Sequence, residues 1–296
     1  MNMVTLSTLA PTLSIRPEVL TAGQATRSIL CLELASQRLR ITLLDSQRRM
    51  VWLDEYAQPS LLTEQDLLPQ LPALFKEHPL LSYDQFQQIR VSVSSPAFTL
   101  VPTELYRKEY ASSYLSLMRG HQQPPNELAH AYAHREGFVS VFGIDRAVTE
   151  FMGEQYPMQP FMYVHQHSTL IQATNAVDRQ LLSKQNLFLY FEDDYVTILF
   201  REQHQLRYCN RFGYKNVQDL TYYVLYVLDE LGADPEKVTV LVYGESTPFA
   251  ESYVAITRFV PNMSIGQLPP GLNPSADLDD LPEHRYLGLQ GLCLLG

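Results

Sequence analysis

Two stretches of the chain run through apolar and polar positions in the same rhythm. Residues 30–56, LCLELASQRLRITLLDSQRRMVWLDEY, and residues 187–213, LFLYFEDDYVTILFREQHQLRYCNRFG, lie over each other without a gap. In each, apolar runs are broken at equivalent places by turn formers: Ser36-Gln37 and Asp193-Asp194, then Ser46-Gln47 and Gln203-His204. Each stretch therefore predicts a three-strand meander. Leu30 with Leu187, Leu32 with Leu189 and Ile41 with Ile198 are the clear identities, so the match is one of pattern.

The segments that come after the two meanders repeat as well. Thr63-Glu-Gln-Asp-Leu67 and Asn216-Val-Gln-Asp-Leu220 both open apolar-periodic helices. Thr63 and Asn216 are N-cap residue types, and Asp66 and Asp219 suit the positive end of a helix dipole. β-Branched runs come next at residues 89–93 and 238–242, as expected of buried strands flanked by helices. The unit β-β-β-α-β thus occurs twice, which predicts a duplicated α/β architecture. The expected parts are an N-terminal arm (1–27), a first half (28–184) and a second half (185–296).

The middle is less regular. Residues 130–142 predict a strand preceded by a helix, 145–155 a helix, 161–164 a strand, and 168–183 a helix capped by Ser168, with a loop at 122–125. Residues 261–282, rich in Pro, Asn and Asp, predict a long surface loop before an apolar helix from about His284 to Leu295.

Composition narrows the function classes. Hydrophobic residues make up 46% and charged residues 18% of the 296, which predicts a large buried core and argues against disorder. With 22 Lys and Arg against 32 Asp and Glu, the formal charge is -10, a field that repels nucleic acid and anionic lipid. No stretch has the apolar length of a membrane span, and the first 27 residues lack the basic start and apolar run of a signal peptide. Cys31, Cys209 and Cys293 are dispersed, without zinc or disulfide spacing. A cytoplasmic protein without direct membrane insertion is the expectation.

Tandem β-β-β-α-β units resemble the actin-like ATPase superfamily, built from two ribonuclease-H-like halves with a cleft between them. The compact form, without large inserted subdomains, is similar to an uncharacterised bacterial family of that fold. The resemblance implies a phosphate-binding turn after the first strand of each half: an acidic residue for Mg²⁺ or water, then Gly, then Ser or Thr. Here the first turn is Glu33-Leu34-Ala35-Ser36, where Ala35 adds a side chain to what should be bare backbone. The second is Phe191-Glu192-Asp193-Asp194-Tyr195, with no Gly. Its three carboxylates would oppose phosphate; a like-charge pair at about 4 Å costs on the order of 4 kcal/mol at an intermediate dielectric. The adenosine-side Gly pair is reduced to Tyr243-Gly244-Glu245-Ser246. Glu33, Ser36, Glu192, Asp193, Asp194, Gly244 and Ser246 are therefore the degenerate cofactor-binding positions implied by the resemblance, with no catalytic residue assigned.

Other chemistry is thinner. His130 with His134, and His165 with His167, could each share a face, yet no further ligand joins them, so no metal site is expected. Ser94-Ser95-Pro96 lacks the glycines of a nucleophile elbow. The helix at 218–231 is apolar nearly all round; an exposed edge of Tyr222, Tyr223 and Tyr226 would suit a protein partner. The sequence thus points to a degenerate actin-like protein that binds no cofactor and serves as an adaptor or scaffold for a protein partner. Its rivals are an ATPase or kinase using Mg-ATP through atypical loops, and a sensor closing on a small molecule.

Overall fold

The computed structural model describes residues 10–35, 38–57 and 68–296. They fall into two compact units: one holds residues up to Ser168 together with Asn273–Asp280, the other Thr169–Leu272 together with Leu281–Gly296.

The first unit opens with β1 (Leu13–Ile15) and α1 (Ala22–Ala25), then the meander β2 (Ile29–Leu34), β3 (Arg38–Leu44) and β4 (Arg49–Ala57). The expected helix start at Thr63 and Asp66 lies outside the described residues; α2 spans Leu71–Glu77 and leads to β5 (Gln88–Val93). Between β5 and the later parallel strand stands a second sheet: β6 (Phe98–Pro102), α3 (Ala111–Arg119), β7 (Glu127–His134) and β8 (Phe138–Asp145). Its order is β6-β8-β7, with its own small core of Ala97, Val101, Leu115, Val139 and Val141. The expected single strand at 130–142 is thus a hairpin turned at Gly137 (φ 87°), part of this small inserted sheet. α4 (Arg146–Gln155), capped by Asp145, and β9 (Phe161–His165) complete the unit much as the pattern predicts.

The main sheet runs β1-β4-β3-β2-β5-β9, antiparallel within the meander and parallel from β2 to β9. Alternation sends Leu30, Leu32, Leu34, Leu39, Ile41 and Leu43 to one face, where they pack with Leu71, Leu74 and Phe75 of α2 and Val148 and Met152 of α4. Each such side chain contributes roughly 1.5–3 kcal/mol by leaving water.

α5 (Gln166–Asp178) begins in the first unit and runs on from Thr169 in the second, where β10 (Gln185–Phe191), β11 (Tyr195–Glu202) and β12 (Gln205–Gly213) come after it. Next come α6 (Val217–Glu230), β13 (Thr239–Gly244), α7 (Glu251–Thr257) and β14 (Met263–Ile265). β15 (Asn273–Pro274) returns to the first unit's sheet beside β4, and α8 (Leu287–Leu294) ends the chain. The loop expected at 261–282 therefore contains two short strands. Asn216 caps α6 as its residue type predicts, accepting from the Asp219 amide at 2.8 Å. Ser168 does not cap α5, which begins earlier; the His165 ring Nδ1 accepts the His167 amide at 3.1 Å instead.

The sheet of the second unit, β12-β11-β10-β13-β14, has the order of β4-β3-β2-β5-β9. Leu187, Leu189, Phe191, Ile198 and Val240 pack against Leu220, Val224 and Leu228 of α6. On the opposite face, buried Arg201 donates to the Ile171 carbonyl (2.9 Å) and Thr174 (3.3 Å) of α5. The two meanders differ by one residue: Leu43 stands opposite Trp52, whereas its counterpart Phe200 stands opposite Tyr208. The gapless match holds through the first hairpin only. Among the described residues no helix is long and apolar enough to cross a membrane.

Candidate functional site

The first turn is closed by the Ala35 amide donating to the Arg38 carbonyl at 2.9 Å; Ser36 lies outside the described residues. That closure places Glu33 opposite Arg40, and Arg40 opposite Glu55, on the face turned away from the apolar core. Glu33 is 1% exposed, and Arg40 Nη1 reaches its Oε2 at 3.0 Å. Arg40 Nε donates to Glu55 Oε2 at 3.0 Å, and Arg38 reaches Glu55 Oε1 at 3.2 Å. Gln166 Nε2 donates to the other Glu33 oxygen at 3.5 Å. The carboxylate named as a cation ligand is thus the counter-charge of a buried arginine. Ser92, beside Glu33 on β5, keeps a buried hydroxyl without a partner among the described residues.

Further polar groups gather at the ends of β5 and β9. The Ser94 amide donates to the Leu34 carbonyl at 3.0 Å, and Ser94 Oγ to Gln166 at 3.5 Å. His165 Nδ1 already accepts the His167 amide, so its proton is on Nε2, which donates to the Ser95 carbonyl at 2.8 Å. His167 Nδ1 lies 2.8 Å from the same acceptor, which assigns it the donor role. The two rings stack at 4.7 Å, and Phe98 stacks on each. Ser95 Oγ accepts from the Ala97 amide at 3.1 Å.

His130 and His134 part company on β7. His130 packs against Phe142 and Tyr163, and burial holds its pKa below the usual histidine value. His134 Nε2 contacts Ser140 at 2.8 Å and Ser168 at 3.2 Å. Among the described residues no three His, Cys, Asp or Glu side chains gather as metal ligands would.

In the second unit the Glu192 amide donates to the Tyr195 carbonyl at 3.0 Å, the same closure as at Ala35. Glu192 is buried and accepts from the Tyr190 hydroxyl at 2.7 Å. Asp193 and Asp194 occupy the exposed tip; after burial, their charges are what raise the pKa of Tyr214. Gly244 stands opposite Phe191 in the parallel pair with φ 82°, and an added Cβ would sit 2.0 Å from the Phe191 carbonyl oxygen. Only glycine fits that approach. The Gly244 amide donates to the His284 carbonyl (3.0 Å), His284 Nε2 meets the Ser246 carbonyl (2.9 Å), and Arg285 pairs with Glu245 at 3.0 Å. Ser246 Oγ is buried and meets no partner among the described residues.

Glu192, Asp193, Asp194, Gly244 and Ser246 therefore come together at the ends of adjacent strands β10 and β13, while Glu33 is engaged within its own sheet. Sequence reasoning missed Arg40, Glu55, His284 and Arg285 as the groups that hold these turns. For Glu33 the signal was present, because a two-residue hairpin fixes which residue faces it.

A family model describing proteins of unknown function, DUF3822, matches residues 17–263. The chain belongs to the DUF3822 family. No curated protein matches it. A Bacteroides thetaiotaomicron protein with an actin-like ATPase fold and unknown function is similar over 94% of this DUF3822 chain and 100% of its own, at 21% identity and TM-score 0.77. A chain of the PilM-PilN type IV pilus biogenesis complex is similar over 90% of this chain and 97% of its own, at 12% identity and TM-score 0.63. The repeated sheet order and these likenesses make the fold that of the actin-like ATPases.

Proposed function

We propose that this DUF3822 protein is a catalytically degenerate, cytoplasmic actin-like protein that works by binding another protein, as an adaptor or scaffold. The observation that carries this reading is the buried Glu33–Arg40 pair at 3.0 Å. Drawing Glu33 toward a metal ion would strip a buried arginine of one of its two counter-charges, a change that costs several kcal/mol when a buried pair is broken. The second turn adds to it: its Glu192 amide is spent on Tyr195, and Asp193 and Asp194 bring negative charge to the tip. Phosphoryl transfer depends on positioning and charge stabilisation, which such turns oppose. Assembly with a partner is a use of the fold in the PilM-PilN type IV pilus biogenesis complex.

The test is isothermal titration with ATP, with and without Mg²⁺, beside a phosphate-release assay. No turnover and no Mg-dependent binding are expected. Micromolar Mg-dependent binding, with turnover abolished by Glu33→Gln or Asp193→Asn, would instead establish the ATPase or kinase reading.

A further inference from the structure

The two units treat the outer edge of their third strand differently. β4 is covered twice: β1 pairs with it antiparallel from Leu13 to Ile15, and β15 pairs with it parallel at Asn273 and Pro274. Its counterpart β12 ends the sheet, and among the described residues no strand pairs with its outer side. A nine-residue edge is long for a globular sheet, and edges of that kind template the addition of another strand.

The ground on both sides of this edge is distinctive. On the α6 side lie Tyr208 and Phe212, with Phe212 stacked on Tyr223 at 4.8 Å. Beyond them Tyr222 and Tyr226 stack on each other at 5.8 Å while staying 62% and 47% exposed. On the other side the Arg211 guanidinium lies 4.1 Å over the Tyr195 ring. Arg207 sits where the pairing register shifts and is exposed, 3.8 Å from Glu202 of β11 in a solvent-exposed pair that a partner carboxylate can replace, and no residue of β12 itself is acidic.

We propose that β12 is a docking edge for an extended segment of a partner protein, one that alternates apolar and acidic side chains. It rests on the protein-binding reading and names the place and the chemistry. The segment adds as a further strand, its apolar side chains over Tyr222 and Tyr226 and its carboxylates toward the arginines. The Arg211 amide, which donates to Asn210 Oδ1 at 2.9 Å, exchanges that bond for a partner carbonyl. A second copy of this chain fits poorly. Antiparallel self-pairing about the strand's midpoint, Cys209, sets Arg207 opposite Arg211, and like charges directly opposite are destabilising.

The test uses the full chain and a random-peptide phage library. Selected peptides are expected to alternate Asp or Glu with apolar residues. N-methylation of alternate peptide amides, which needs no protein variant, and the exposed-site change Arg207→Glu should each weaken binding about tenfold. Selection of no peptide, peptides without alternation, or binding that tolerates N-methylation within about twofold would overturn the inference. So would a concentration-dependent dimer cross-linked through β12. A photo-cross-linker at Tyr226 and another at Leu117, exposed on α3, separate the two claims in the native host. Capture of a partner only from position 117 removes the docking edge and leaves the adaptor reading standing. Capture from neither, together with ATP turnover, removes the adaptor reading itself.

Discussion

The same cross-strand row, on the sheet face turned away from the apolar core, carries opposite chemistry in the two units. In the first it reads Ser92, Glu33, Arg40, Glu55; in the second, Tyr243, Tyr190, Thr197, Arg211. One is a buried ion-pair ladder. The other is half aromatic, with burial raising the Tyr243 phenol pKa and Tyr190 bonded to Glu192. A repeated backbone therefore does not fix what its strands bury. Desolvating the ladder's charges offsets much of their attraction, so the ladder adds little net stability even though breaking it is costly.

The largest expected effect comes from breaking the ladder. Arg40→Met leaves Glu33 and Glu55 buried without their shared cation and should cost about 3–5 kcal/mol in urea unfolding. Replacing Glu33, Arg40 and Glu55 together by Met should recover most of that loss. A triple variant as unstable as the single one would show that the charges themselves hold the sheet.

The next test concerns the covered and uncovered edges. Asp54, on β4 opposite Ile41, is fully buried; its counterpart Asn210, opposite Ile198, is exposed. Burial pushes the Asp54 pKa up, but donors from His78, Ser14, Trp52 and Arg16 outweigh it and hold the pKa below 3.8. His78 Nε2 donates at 2.7 Å because its Nδ1 already accepts the Leu80 and Leu81 amides. A depressed folded pKa gives stability that is complete above about pH 4 and lost as pH falls through the folded value. Asp54→Asn should cost about 1.5–3 kcal/mol at pH 7, and the gap to the unsubstituted protein should narrow below pH 4. A gap independent of pH would assign the loss to packing.

The smallest effect sharpens the aromatic row. Thr197 is fully buried, and its hydroxyl meets no partner among the described residues. Thr197→Val keeps the shape and removes that hydroxyl, so a gain of up to about 1 kcal/mol is expected from the thermal midpoint. A loss would reveal a bond to this hydroxyl.

Much of the repeat was legible because period-two alternation and two-residue turns are local. The third strand slipped by one because the first unit turns at residues 45–48 with Arg48 at φ 60°, while the second uses Gln203 and His204 at φ 51° and 64°. Alternation records faces and does not count the residues spent in a turn. The inserted sheet escaped because Glu127–His134 is half-exposed and built of Ala, His and Tyr, so its two faces barely differ. α7 escaped through its shortness, at seven residues. At the candidate site, residue types were read but their neighbours were not. Glu33 was read as a degenerate phosphate-turn position, while Arg40, its partner across the hairpin, was not read at all.

The inserted sheet also bears on the order of folding. In the second unit β13 meets β14 with Val240 opposite Met263, whereas in the first β5 meets β9 with Ile89 opposite Phe161, a closure roughly three times longer. On loop entropy alone the longer closure costs about 1 kcal/mol more, and contacts distant in sequence form slowly. Pulse-labelled hydrogen exchange during refolding should therefore find the β13 amides protected before those of β9, so that the shorter unit is the first of the two to complete its sheet.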